Sequence, residues 1–453
     1  MGRRKLLTTA ATAVAVVVVL VIAVPHLVRK RPDVILISID TLRPDHLGCY
    51  GYEKPTSPGL DTFAQDAILF ERCFSQAPTT RPSCGAILTG YYPHELKIFS
   101  NRDNLPVEVE AVAEHLKRAG YTTIGVVSNF VLRKGGGFEQ GFHVFDDRMD
   151  DRELVRRIPE RIADKTTDTA VGLLKLHHGR KLFMWVHYQD PHGPYTPPGR
   201  YGRMFDNPGG KSRVLEFNSS VSGKGGIPSY QKLGDRDDYD YYVSQYDGEI
   251  RFFDEHFKRL IRALKDLDLY DNSLIIITSD HGEGMGEHDY FFAHGEYVYN
   301  SLIHVPLIVR YGDRTMGERR RELVQLIDIV PTILETVGLE AAPDLRGDNL
   351  LKQTQEEKLI FSEMPGKYSF MVHGLKLIHH VEEDEYMLFD VRKDRLEKSD
   401  LITDAEYADI TDHLKTRLAG VREENLLGSS VTRKTPALTE EEKEKLKSLG
   451  YVQ

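Results

Sequence analysis

Short runs of consecutive apolar residues, each closing in a polar cluster, recur along this chain. The first is "DVILISID", which leads into "TLRPDHLGCYG"; the others are "YTTIGVVSN", "KLFMWVHYQDPH" and "NSLIIITSDHGEG". Unalternating runs of this length match strands buried on both faces. Between them, "VEVEAVAEHLKRAG", "TTDTAVGLLKLHH" and "YDGEIRFFDEHFKRLIRALKDL" repeat apolar residues every three to four positions. That spacing predicts amphipathic helices. Buried strands alternating with helices predict an α/β fold, a mainly parallel sheet between helices. Such sheets bind ligands beyond the carboxyl ends of their strands, where each polar cluster falls.

The pattern changes along the chain. Gly199 to Asp238 lacks periodicity and is predicted as a long surface loop shaping access to a site. From about Glu356, "KLIFSEM", "YSFMVHG" and "LKLIHHVEEDEYMLFDVR" predict short antiparallel strands of a smaller C-terminal subdomain, followed by the amphipathic "DAEYADITDHLKTRLAGV". At the other end, Leu6 to Val24 is almost wholly apolar. As a helix that run spans roughly 28 Å, close to a bilayer core. It ends in "PHLVRKRP", a poor cleavage site, which favours an uncleaved anchor. The expected organisation is a cytoplasmic tip (1–5), a single-pass transmembrane signal anchor (6–25), a catalytic domain outside the cytoplasm (31–350), the C-terminal subdomain (351–425) and a charged tail (426–453).

Composition narrows the function classes. A formal net charge of −10 without a basic stripe argues against a nucleic-acid partner. Cys49, Cys73 and Cys84 are too few and too scattered for a disulfide framework or a zinc module, although one disulfide stays open.

The candidate chemistry sits at the strand ends. Asp40 closes the first strand in "SIDTLR", and Asp280 with His281 closes the fourth in "TSDHGEG". A carboxylate on one strand end and an Asp-His pair on another suit one divalent ion, manganese, zinc, calcium or magnesium. The histidine leans towards zinc or manganese, since calcium prefers oxygen ligands throughout.

From Pro32 onward the chain resembles the sulfatase branch of the alkaline phosphatase superfamily. The resemblance rests on "DTLRPDHLGCYGYEKPTSPGLDTFA", "TRPSCGAILTG", "HYQDPHGPYTPP", "TSDHGEGMGEHDYFFAHGEYVYNSLIHVPLIV" and the closing "YMLFDVRKDRLEKSDL" and "LKSLGYV". It implies an alkaline phosphatase-like core with a C-terminal antiparallel sheet and a metal-centred site. Asp40, Asp280 and His281 fall on metal-ligand positions, and Thr80 on the nucleophile position. His192, in "DPHGPY", falls on a histidine at the ester or leaving group. His294, in "FFAHGEY", falls where sulfatases carry an anion-binding lysine. His187 and Asp190 either orient His192 or satisfy buried backbone groups. Arg43 and Arg81, beside Asp40 and Thr80, are candidate partners of an anionic substrate.

The departures are as informative. Sulfatases mature a cysteine to formylglycine within Cys-x-Pro-x-Arg; here Thr80 replaces the cysteine and Cys84 the arginine, so no formylglycine is expected. The family's "GKWH" is "SNFV", leaving Asn129 as the polar group there, and Thr41 replaces the second aspartate of an Asp-Asp pair. Residues 80–90, read with the preceding "APT" as one loop, therefore present a threonine where a hydrated aldehyde belongs. Formylglycine hydrate attacks with one hydroxyl and expels sulfate by collapse of the other. Threonine has one hydroxyl, so that exit is closed, whereas a phosphothreonine can be displaced by water or an alcohol. Phosphoethanolamine transferases and lipoteichoic acid synthases, other branches of the superfamily, look similar here. The expectation is a metal-dependent hydrolase or transferase using Thr80 as both nucleophile and metal ligand, on a small-molecule, glycan or lipid phospho- or sulfo-ester. A true sulfatase and a non-catalytic, ligand-binding descendant are the alternatives.

Overall fold

A mixed eight-stranded sheet organises the chain from Asp33 onward in the computed structural model, which describes residues 31–207, 213–312, 317–353 and 358–426. In chain order its strands, with those of the smaller sheets, are β1 (Asp33–Ile39), β2 (Ile68–Phe74), β3 (Thr122–Val127), β4 (Val144–Asp146), β5 (Asp151–Arg152), β6 (Pro159–Glu160), β7 (Leu182–Tyr188), β8 (Glu216–Phe217), β9 (Gly226–Ile227), β10 (Ser273–Ser279), β11 (His304–Tyr311), β12 (Glu318–Gln325), β13 (Ile360–Met364), β14 (Lys367–Val372), β15 (Leu375–His380) and β16 (Glu385–Asp390). The large sheet runs β12-β2-β11-β10-β1-β7-β3-β4.

The stretch from β10 to β4 is parallel throughout, but β11 lies antiparallel to both β10 and β2. The sheet is mixed where the sequence pattern predicts a mainly parallel one. Residues 280–303 supply the reason. They link β10 to β11 without crossing the sheet, so β11 must run back beside its predecessor. β2 in turn pairs antiparallel with β11 and ends on the same side as β1, β7 and β10. That common end receives Asp40, the His192 loop, Asp280 and, through residues 75–79, Thr80.

Side-chain alternation in the strands divides the core. Ile35, Ile37 and Ile39 of β1 pack with Leu60, Leu174, Phe253 and Phe257 from helices α1 (Pro58–Ala64), α4 (Ala163–His177) and α5 (Tyr239–Asp266). Val34 and Leu36 face the other way, onto Ile87, Leu88, Leu116 and Ile333 from α2 (Thr80–Thr89), α3 (Val112–Arg118) and α6 (Ile329–Thr336). A strand covered on both faces has few positions for a polar side chain, which is why these strands read as largely apolar runs. Cys49, Cys73 and Cys84 are buried free thiols.

The strands β13 to β16 form an antiparallel meander. One face, with Phe370, Leu377 and Leu388, packs on Ile410, Leu414 and Leu418 of α7 (Ala408–Leu426). The other, with Met371, Ile378 and Phe389, packs on Tyr290, Val298 and Leu302 from the 280–303 connection. The segment expected as loop, 199–238, carries the two-residue parallel pair β8–β9. Among the described residues no helix is long and apolar enough to cross a membrane. The expected tip (1–5), anchor (6–25) and tail beyond Leu426 lie outside the described residues.

One buried ion pair ties the meander to that connection. The Lys376 ammonium donates to the Val298 carbonyl at 2.8 Å and to Asn300 Oδ1 at 2.9 Å, and lies 2.5 Å from Glu397 Oε1. Glu397 Oε2 accepts from the Asn300 N–H at 2.6 Å. Removing one partner would strand a buried charge. Glu397→Ala is expected to lower stability by about 3 kcal/mol or more, read as a reduced urea midpoint, while the double change Lys376→Met with Glu397→Gln loses less.

Candidate active site

Strand register puts the two aspartates side by side. Ile39 lies opposite Ser279 on one flank and Tyr188 on the other. The Asp40 N–H donates to the Tyr188 carbonyl at 3.0 Å and the Asp280 N–H to the Ile39 carbonyl at 3.4 Å, so both follow their strands by one residue. Thr41 then turns the chain with φ 56°, a conformation that β-branched residues rarely adopt and that marks a constrained site. The turn aims the Thr41 N–H at Asp280 Oδ1 (3.3 Å), which also accepts from the His281 N–H (2.8 Å).

Each aspartate keeps one oxygen without a partner. Asp40 Oδ2 accepts from the Asn129 amide and lies 3.5 Å from His187 Nε2. Asp40 Oδ1 and Asp280 Oδ2 are fully buried with no hydrogen-bond partner among the described residues, and they lie 3.8 and 3.6 Å from His281 Nε2. His281 Nδ1 is 2.9 Å from the Gly282 carbonyl. A carbonyl only accepts, so Nδ1 carries the proton and Nε2 presents its lone pair. Two bare carboxylate oxygens and the His281 Nε2 lone pair, all within 4.8 Å of one another, fit a divalent cation. Burial pushes the Asp40 carboxyl up, but His192, His187 and His281 outweigh it and hold it below the usual carboxylate range. Burial and the Asp40 charge push Asp280 above that range. Two carboxylates facing one gap repel until a positive charge enters it.

Thr80 opens a helix rather than continuing a loop. It is the first residue of α2, after Thr79 in extended conformation as N-cap. Pro82 is tolerated because first-turn N–H groups have no intrahelical acceptor. Ser83 pins this end of the helix to the site, donating to the Asp280 carbonyl at 2.5 Å and meeting Ser75 Oγ at 2.9 Å. Thr80 Oγ1 thereby rests 3.4 Å from His281 Nε2 at the positive end of the helix, where an oxyanion is favoured. Cys84, one turn on, packs with the core residues Ile87 and Leu88.

The remaining histidines gather beside this cluster. The ring of His294 is 4.5 Å from that of His281 and 5.1 Å from that of His192, centroid to centroid. His294 Nδ1 meets Glu283 Oε1 at 3.1 Å, and Glu283 Oε2 accepts from the Tyr195 hydroxyl at 3.0 Å. Burial works against the His294 charge, but Glu283, Asp40 and Asp280 raise its pKa. Protonated, His294 would place positive charge where the family pattern has a lysine. His192 is pushed down to about 4, first by burial and then by His294 and Arg156 against the pull of Asp40 and Glu283. Glu283 is a residue that sequence reading passed over, although a carboxylate inside the glycine-rich "HGEG" was the signal for it. His187 joins the site through Asp40, and its Nδ1 is 2.8 Å from Ser38 Oγ.

Three candidates for substrate contact are differently employed. The Arg43 guanidinium bonds to Asp45, Glu287 and the Glu283 carbonyl, and is 3% exposed. Arg81 turns away along α2 and donates to the carbonyls of Val131 and Asp103 and to Asn104. Asn129 uses its nitrogen on Asp40 and its oxygen on the Val131 N–H, so the protein engages both ends of its amide.

Comparison with known proteins agrees with this geometry. The chain matches the family described as Sulfatase over residues 32–339 and that described as N-sulphoglucosamine sulphohydrolase, C-terminal, over residues 286–424. It is similar to an N-acetylglucosamine-6-O-sulfatase of Bacteroides thetaiotaomicron, 24% identical, with 84% of each chain covered. Its fold is similar to a phosphonate monoester hydrolase of Agrobacterium radiobacter, with a TM-score of 0.69, 22% identity and coverage of 87% of this chain and 96% of that one. It is also similar to a protein solved in complex with its substrate D-glucosamine-2-N,6-O-disulfate, with a TM-score of 0.71, 21% identity and coverage of 87% and 98%. These likenesses place an alkaline phosphatase-like α/β fold around the strand-end cluster.

The paired bare carboxylates give the cluster a measurable signature. Asp280→Asn replaces one repelling oxygen with an amide able to donate to Asp40 Oδ1. The metal-free variant is expected to be more stable than the metal-free parent by about 1 kcal/mol. Added manganese or zinc should raise the melting temperature of the parent and leave that of the variant almost unchanged. Equal metal-induced shifts in the two proteins would remove Asp280 from the ligand set.

Proposed function

The chain belongs to the sulfatase family of ester hydrolases, and from that premise we propose that it cleaves phosphorus esters through Thr80 with one divalent ion. The observation that carries the reading is the Thr80 hydroxyl, 3.4 Å from His281 Nε2 at a helix N-terminus beside two unpartnered carboxylate oxygens. Asp40, Asp280 and His281 would hold the ion, which would supply Lewis acidity. With its proton released to solvent, Thr80 Oγ1 attacks phosphorus in line as the bond to the leaving oxygen breaks, and the N-terminus of α2 favours the charge that develops. His294, held by Glu283, offers the phosphoryl oxygens a positive partner. Gln189 Nε2 lies 3.1 Å from His192 Nδ1, so the amide donates there and the His192 proton sits on Nε2, available to the leaving oxygen. Water or an acceptor alcohol then displaces the phosphoryl group from Thr80.

The substrate class in this reading is a phosphate or phosphonate ester of a small molecule, glycan or lipid. The fold likeness to a phosphonate monoester hydrolase is compatible with it. Sulfate esters are the second reading, favoured by the N-acetylglucosamine-6-O-sulfatase relative. Anchoring through residues 6–25, with the catalytic domain outside the cytoplasm, belongs to the same proposal and is supported by the apolar run Leu6 to Val24.

Two experiments test it. With 4-nitrophenyl phosphate, rapid quench should trap a phosphoryl group on Thr80. Thr80→Ala should abolish that adduct and lower kcat by about a thousandfold or more while metal content holds, and Thr80→Ser should keep part of the rate. Sulfate release faster than phosphate release from matched esters would reverse the assignment. Deleting residues 1–30 should give a soluble protein with unchanged kcat; loss of activity on truncation would mean that the N-terminal segment does more than anchor.

A further inference from the structure

The hairpin of β5 and β6 adjoins the site through Asn129 and presents an arginine that the chemistry above does not use. At its base, Asn129 forms an isolated antiparallel bridge with Glu160, and the Arg161 N–H donates to the Ser128 carbonyl at 3.2 Å. This end of the hairpin is therefore stitched to the residue that holds Asp40. At its tip, the Arg156 guanidinium carbon sits 4.5 Å from the centre of the Tyr230 ring. The Tyr230 hydroxyl and Gln231 Nε2 both donate to the Phe292 carbonyl, at 3.0 and 3.1 Å, two residues before His294. Gly193, next to His192, packs so close to Gln231 that a Cβ there would fall 1.8 Å from Nε2. The hairpin thus reaches from the Asn129 side of the site to the wall that supports His192 and His294.

Arg156 is held ready and is only partly satisfied. Its Nε and Nη2 donate to Glu153 at 2.7 and 2.5 Å, and Glu153 is itself buried. The tip is closed by the Glu153 N–H on the Ile158 carbonyl at 3.0 Å, with Arg157 at φ 60° making the turn. Stacking on Tyr230 and the fork to Glu153 fix the guanidinium plane, which lowers the entropy lost on binding. Nη1 donates to no atom among the described residues, and the side chain is 32% exposed. The Arg156 charge is also felt at His192, after burial, Asp40 and His294. Arg43 and Arg81, the cations next to the reacting residues in sequence, have turned their donors to protein acceptors.

We propose that Arg156 forms a second anion subsite, binding a further phosphate or sulfate on a sugar substrate at a distance from the bond that is cut. This rests on the ester-hydrolase reading and names the substrate class within it: sugars bearing at least two anionic groups. One remains at Thr80 and the histidines; the other pairs with the open edge of the guanidinium.

The test is calorimetric titration of the full chain carrying Thr80→Ala, so that bound ester is not consumed, with glucose 1,6-bisphosphate and glucose 6-phosphate as probes. The bisphosphate should bind about tenfold tighter than the monophosphate, the scale of one charge-assisted contact. Adding Arg156→Gln should erase that difference and leave glucose 6-phosphate affinity within twofold. Arg156→Lys, which keeps charge without the fork, should restore part of the preference and decides the matter if the glutamine variant melts early. Equal affinity for the two probes in the Arg156 protein, or a preference surviving both substitutions, overturns the subsite. Absence of nitrophenyl phosphate hydrolysis would count against the phosphoester reading, while the titrations would still judge Arg156.

Discussion

Two carboxylate oxygens, Asp40 Oδ1 and Asp280 Oδ2, face one gap with no hydrogen-bond donor to share between them. This is the constraint on which the site depends. Burial removes the water that would screen them, so everything around them is arranged to hold their outer oxygens while leaving the inner ones bare. The Thr41 and His281 N–H groups take Asp280 Oδ1, and Asn129 takes Asp40 Oδ2. Such an arrangement stores unfavourable electrostatics in the metal-free protein. It is tolerated because both aspartates terminate strands whose remaining residues bury apolar surface on two sides, giving the local penalty a large counterweight.

That constraint explains the mixed topology. A site assembled at one end of a sheet needs several chain segments to arrive there. Parallel neighbours with crossover helices deliver Asp40, the His192 loop and Asp280. The antiparallel β11 allows the chain to stay at that end for residues 280–303, long enough to place Glu283 and His294 beside His281. A connection this irregular needs support from outside, and the C-terminal meander provides it through Met371, Ile378 and Phe389 and through the Lys376–Glu397 pair. The C-terminal sheet thus acts on the site at one remove, by fixing the backbone that carries His294.

Much of this was legible in the sequence, for a physical reason. Strands covered on both faces are mostly apolar, so β1, β3, β7 and β10 stood out, and the polar residues directly after them marked the strand ends. β2 and β12 were not singled out, because "ILFERCF" and "ERRRELVQ" carry charge near the sheet edge where side chains reach water. The start of α2 was read as loop because "APTTRP" holds residues that break helices everywhere except in the first turn. Arg43 and Arg81 were candidates for substrate contact on sequence adjacency alone. Adjacency does not give direction: one step along a strand end or a helix rotates a side chain away from its neighbour's target. Glu283 escaped for the converse reason, since only the fold brings it under His294, eleven residues on.

The replacement of a formylglycine precursor by Thr80 is better understood with the helix than with the motif. A hydroxyl at the first position of α2 lies where backbone N–H groups and the helix dipole favour negative charge, whatever its parent side chain. On the proposed reading this position can hold an attacking oxygen, while threonine lacks the second hydroxyl by which a formylglycine hydrate ejects sulfate. A sulfate ester carried on threonine lacks a geminal hydroxyl to expel it and would need a second displacement at sulfur. An ester of phosphorus is opened by in-line attack once its charge is offset, and the cation gap with the Glu283–His294 pair supplies that offset. Loss of the lysines seen in the family pattern points the same way. Here His294 stands in that position, held by the buried Glu283, which raises its pKa against the effect of burial. Phosphoryl transfer is the chemistry that the proposal assigns to the geometry that remains.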